Sequence, residues 1–97
     1  MKREDFVFSV GYDGDTAIVD VKAKKRYGKL TTAQLAAEGL YKAAFCSALY
    51  SGNQEEIKMV VDAYNAGEGT SYRSSDGLER LFGVYEVPSD IQKVKTL

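Results

Sequence analysis

Apolar residues alternate along Phe6-Val7-Phe8-Ser9-Val10-Gly11-Tyr12, with Phe6, Phe8, Val10 and Tyr12 on one face. A period of two predicts a strand. Asp13-Gly14-Asp15 follows, and Asp-Gly is turn chemistry because both residues tolerate positive φ. Thr16 to Lys22 resumes the strand pattern. Ala17, Val19 and Val21 point one way, Asp20 and Lys22 the other. These residues read as an N-terminal β-hairpin. Two strands alone are marginal in water, so the hairpin must pack on the rest of the chain.

From Leu30 the pattern turns helical. Thr31 and Gln34 have the spacing of a capping box, with Leu30 and Leu35 at the staple positions. The stretch from Thr32 to Tyr50 is apolar around nearly its whole circumference. It predicts one long helix covered on more than one side and ended by Gly52. Gln34, Glu38 and Lys42 form its polar stripe, which Phe45 and Leu49 interrupt. Ala36, Gly39, Ala43 and Ser47 form a small-residue groove on another side.

A second helix opens at Asn53, with Glu56 as the return partner of the cap. Ile57, Val60, Val61 and Tyr64 fall at i, i+3, i+4 and i+7, with Lys58, Asp62 and Asn65 facing away, and Gly67 ends it. The short connection makes the two helices an antiparallel hairpin. Ser75 to Phe82 reads as a short helix capped by Ser75 and stopped by Gly83. Val84–Val87 is the candidate third strand, ended by Pro88. The tail from Ser89 to Leu97 reads as a helical turn or a frayed end. The expected fold is one α+β domain over residues 1–97. A β-hairpin packs on a helical hairpin, followed by a short C-terminal helix and that strand.

Composition narrows function by exclusion. A chain of 97 residues with 44% hydrophobic content has the makings of one folded core and argues against disorder. Its formal net charge of −1 leaves no overall field to draw it to nucleic acid or membrane, so any such role needs a local patch. No apolar run of signal-peptide length follows Met1-Lys2-Arg3-Glu4-Asp5, and no stretch approaches the ~20 apolar residues of a membrane span. Cys46 is the one cysteine, so no intrachain disulfide forms, which fits a reducing compartment and a cytoplasmic expectation.

Candidate chemistry is sparse. The chain has no histidine, which removes the commonest general base and the commonest transition-metal ligand. Cys46 falls late in an apolar helix, where a thiol behaves as a small buried hydrophobe rather than a nucleophile. Asp13 and Asp15 are turn residues without the later ligands of a calcium loop. Nothing in the sequence asks for a cofactor or a metal, and no enzymatic activity is expected.

Three surfaces remain. The first is Tyr41, Phe45, Leu49 and Tyr50, where the long helix runs out of polar face. It suggests a non-catalytic protein–protein interaction module that self-associates, most simply as a two-fold dimer. Leu78, Leu81 and Phe82 with Val84–Val87 are the in-chain alternative cover. The second surface is the basic run Lys22, Lys24, Lys25, Arg26 and Lys29 with Tyr27 interleaved. Extended, it would track a phosphate backbone with Tyr27 stacked on a base. As solvated charges these residues would be dispensable for folding. The third is the loop carrying Gly67, Gly69, Thr70, Ser71 and Arg73, a weak anion-site pattern that matches no phosphate-loop spacing and is opposed by Glu68.

Overall fold

The computed structural model describes all residues from Met1 to Leu97. The protein is α+β, with six helices and one three-stranded sheet. The order is α1 (Arg3–Val7), β1 (Ser9–Asp13), β2 (Thr16–Val19), α2 (Val21–Tyr27), α3 (Thr32–Ala37), α4 (Tyr41–Ser51), α5 (Gln54–Glu68), α6 (Ser75–Phe82) and β3 (Lys93–Thr96). β1 and β2 form the expected hairpin, with Asp13 opposite Thr16 across its turn. Ala17 and Val19 turn inward and are fully buried.

Each end of the hairpin departs from expectation. Phe6, Val7 and Phe8 are buried consecutively, at the end of a short helix rather than in a strand. A strand alternates faces and buries every second residue against one layer. Three successive buried apolar residues need cover on both sides, and α1 supplies it by packing between β2 and α4. At the other end Asp20 is not an outward strand residue. Its carboxylate accepts from the Ala23 amide at 3.1 Å and caps α2. The strand therefore stops at Val19, and the basic run is helical rather than extended.

The predicted long helix is two helices. Its start is as expected: the Gln34 amide donates to Thr31 Oγ1 (3.2 Å) and the Thr31 amide to Gln34 Oε1 (2.9 Å). It breaks at Gly39, which adopts φ +76°, a left-handed conformation that side chains disfavour. The Gly39 amide donates to the Ala36 carbonyl and the Leu40 amide to the Leu35 carbonyl, both at 3.0 Å. That pair of bonds is a Schellman closure. Gly39 is a helix terminator, not part of a small-residue groove.

Helix α4 restarts at Tyr41 and is the hub, in contact with α1, α3 and α5. Ala44, Phe45, Cys46, Ser47 and Ala48 are all buried, and the four small side chains let the neighbouring backbones approach closely. Asn53 caps α5 by accepting from the Glu55 and Glu56 amides (2.9 and 3.3 Å). Its own amide goes to Ser51 Oγ (3.2 Å), not to Glu56. Helix α5 continues through Gly67 to Glu68, and Ser74 rather than Ser75 caps α6. The third strand is Lys93–Thr96, parallel to β2. Val84–Val87 pairs with nothing and is no strand. No helix is long and apolar enough to cross a membrane.

Candidate functional site

Two surfaces stand out, an apolar one at the β1 edge and a cationic one at α2. The sheet order β1-β2-β3 leaves two free edges. A free edge presents unpaired backbone donors and acceptors, and charged side chains, lysine above all, guard it against other strands. β3 is guarded in this way by exposed Lys93 and Lys95. β1 carries no charge before Asp13. Its pairing with β2 skips Val10: Ser9 lies opposite Val19 and Gly11 opposite Ile18. This bulge re-aims Val10, which is 58% exposed. Tyr12 and Tyr85 are exposed as well, at 44% and 59%.

Two hollows flank this edge. The larger, about 540 Å³, is lined mostly by apolar side chains, among them Phe8, Val10, Leu40, Tyr41 and Phe82. The smaller, about 230 Å³, runs along Ser9 to Tyr12 and is lined also by Val84 and Tyr85. Ser9, Val10, Lys42 and Phe82 belong to both walls.

The four residues expected at a partner contact do not form one patch. Phe45 is fully buried, its ring 5.9 Å from that of Phe82. At Phe45 the cover thus comes from Phe82 of α6 in the same chain, the in-chain alternative. Leu49 is half-buried against the core. Tyr41 is half-buried, meets the Tyr64 ring edge-on at 5.2 Å and lines the larger hollow. Tyr50 is exposed on the other side of the protein, in the cationic cleft.

That cleft, about 900 Å³, lies between α1, α2 and α4. Ala23 and Tyr27 turn α2 toward the core. Lys24 is not a solvated charge: its Nζ donates to Asp5 Oδ1 at 2.6 Å, and the Asp5 side chain is only 8% exposed. Lys22, Lys25, Arg26 and Lys29 are exposed. Lys22, Lys25 and Arg26 fall at i, i+3 and i+4 of α2, so helical geometry sets them on one face, and Lys29 follows in the turn after the Gly28 cap. Tyr27 is half-buried with the Arg26 guanidinium 5.3 Å from its ring centre, so it is not free to stack on a base. The missed signal was Asp20, whose spacing to Ala23 is that of a helix cap.

Arg3 forms the floor of the cleft and is fully engaged. It donates to the carbonyls of Gly28 (3.1 Å) and Leu30 (2.6 Å), to Ser47 Oγ (3.0 Å) and to Glu4 (3.3 Å). Ser47 Oγ and Thr32 Oγ1 share a buried bond at 2.7 Å. The network joins α1, α3, α4 and the connection after α2. No local pattern announces it, since its members are far apart along the chain.

No known family model, curated protein or solved structure matches this chain.

The glycine-rich loop does not converge on an anion. Gly67 lies within α5, and Gly69 caps that helix. The Thr70 hydroxyl and the Tyr72 amide both donate to Asn65 Oδ1 (2.8 and 2.9 Å), and Asn65 Nδ2 donates to the Tyr72 carbonyl (2.8 Å). Asn65 therefore faces the loop rather than solvent and takes up its donors. Ser71 is exposed, and Arg73 lines a separate small hollow beside α5. Cys46 is buried, and burial pushes its thiol up from 9.0 to about 11, against a smaller opposing pull from Lys42. No three His, Cys, Asp or Glu side chains lie close enough together to hold a metal ion.

Proposed function

We propose that this protein is a non-catalytic interaction module that self-associates through β1, two copies pairing β1 to β1 antiparallel about a two-fold axis. The observation that supports this reading is the difference between the sheet's two edges: lysines guard β3, whereas β1 offers Val10, Gly11 and Tyr12. Antiparallel pairing of one strand with its own copy is self-complementary, which is what a two-fold interface requires. It would join two three-stranded sheets into one of six. Val10, Tyr12 and Tyr85 would lose exposed apolar area on pairing, the main driving force for such contacts. The bulge interrupts regular pairing only near Val10, and Gly11 to Asp13 keep a regular register.

Sedimentation equilibrium at micromolar concentration tests the reading. The parent is expected to be a dimer. Val10→Lys, which supplies the missing edge lysine at an exposed position, is expected to be a monomer with unchanged circular dichroism. A parent that is monomeric throughout, or a Val10→Lys variant that still dimerises, would overturn it.

A further inference from the structure

The cationic cleft carries a second inference, independent of the β1 edge. We infer that the cleft between α1, α2 and α4 binds single-stranded nucleic acid, with α2 neutralising phosphates and Tyr50 stacking on a base. Val21 to Lys29 holds five cations and no acid, on a chain of net charge −1. Lys24 is taken by Asp5, which leaves Lys22, Lys25, Arg26 and Lys29 as one exposed row. At 1.5 Å per residue its helical part, Lys22 to Arg26, is about 6 Å long, and Lys29 extends it past the helix end. Four unpaired cations side by side repel one another, and a polyanion laid along them removes that repulsion and releases its own counterions.

Lys25 and Lys29 of that row also line the cleft, and Tyr50 and Ser51 of α4 line it with them. The Tyr50 ring is exposed, and its hydroxyl donates to the Met1 carbonyl at 3.0 Å, which holds it in place. A ring held in the same cleft as two free ammonium groups offers the two elements that single-strand binders use: stacking for the base, cations for the backbone. Hydroxyls of Thr31 and Ser51 line the same cleft. Glu4 and Glu56 line it too; Glu4 is paired with Arg3, and Glu56 opposes an anion on its side. The stacking platform is what favours nucleic acid over an acidic polypeptide, which would need the cations alone.

The test is fluorescence anisotropy of a short labelled oligouridylate with the full chain, over a range of salt. The logarithm of affinity is expected to fall against log salt with a slope of about −3, the value for four neutralised phosphates on a single strand. Lys25→Glu with Lys29→Glu should weaken binding at least tenfold. Tyr50→Leu should weaken it about tenfold without changing the salt slope, and Tyr50→Phe, which keeps the ring but loses its bond to Met1, should fall between Tyr50→Leu and the parent. Val10→Lys should also bind like the parent, which separates this site from the β1 edge. All the substituted side chains are exposed, and an unchanged melting curve confirms folding for each variant. Absence of oligouridylate binding at low salt overturns the inference. So does polyglutamate binding as tight as that of oligouridylate with Tyr50→Leu indifferent, which would assign the surface to an acidic protein.

Discussion

The phenol of Tyr41, in the first turn of α4, rests against the bare α-carbon of Gly67, in the last turn of α5. A Cβ at Gly67 would collide with Tyr41 Oη and stand 3.0 Å from Cζ. The Tyr41 ring also meets Tyr64 edge-on, and Tyr64 meets Phe82 at 5.9 Å. Gly67 is therefore not a helix stop. It is the place where α5 omits a side chain so that an aromatic ring can fasten it to α4.

Gly67→Ala is expected to lower stability by about 1 kcal/mol. The helix gain from alanine is up to ~1 kcal/mol, and overpacking costs about 1–3 kcal/mol. In a Tyr41→Leu background the same substitution should be neutral or stabilising. Urea denaturation of the four proteins in this cycle gives the coupling between the two positions. A Gly67→Ala protein more stable than the parent would show that the ring yields freely.

Lys24 separates from its basic neighbours in folding. Lys24→Met leaves the buried Asp5 carboxylate without its partner and should cost about 1–3 kcal/mol. Lys25→Met should stay within about 0.5 kcal/mol of the parent. Adding Asp5→Asn to Lys24→Met should recover part of the loss. The run as a whole is therefore not expected to be dispensable, and equal urea midpoints for the two lysine variants would contradict this.

Phe45 and Leu49 also diverge. Phe45 has no exposed surface, and Phe45→Ala should cost about 3–5 kcal/mol, a large part of the stability of a small domain. Leu49 is half-buried, so Leu49→Ala should cost about 1–2 kcal/mol. Thermal melts of both variants check the order, and a larger loss at Leu49 would reverse it.

Alkaline pH should destabilise the fold through Cys46. The folded thiol keeps its proton to about pH 11, while the unfolded thiol loses it from about 9.0. Below pH 9 both states are protonated and the stabilisation is complete. As pH rises from 9 to 11 the unfolded state alone releases a proton, and stability falls by about 2–3 kcal/mol. Tyr64 adds to the same trend, its phenol raised first by burial and then by Glu68 and the neighbouring tyrosines. Comparing the parent with Cys46→Ala over pH 8–11 isolates the thiol. A parallel pH profile for the two proteins would rule the linkage out.

What the sequence determined by itself is what closes within a few residues. The Thr31–Gln34 capping box, the Asn53 cap, the stops at Gly52 and Gly83 and the tight hairpin turn each depend on hydrogen bonds or φ values set by near neighbours. The all-round apolar character of residues 32–50 likewise announced a helix buried on several sides, though not its division into α3 and α4. Only the tertiary structure decided the rest. Phe6 to Phe8 became a covered helix because α4 and β2 flank it. The third strand went to Lys93–Thr96 because β2 offers a free edge there, and an edge strand tolerates lysines that water solvates. Val84–Val87 has the better strand pattern but no partner strand. Arg3 found Ser47, Tyr41 found Gly67 and Lys24 found Asp5 across long stretches of chain. Local pattern carries no information about such pairs, because their energy comes from which surfaces meet once the chain has folded.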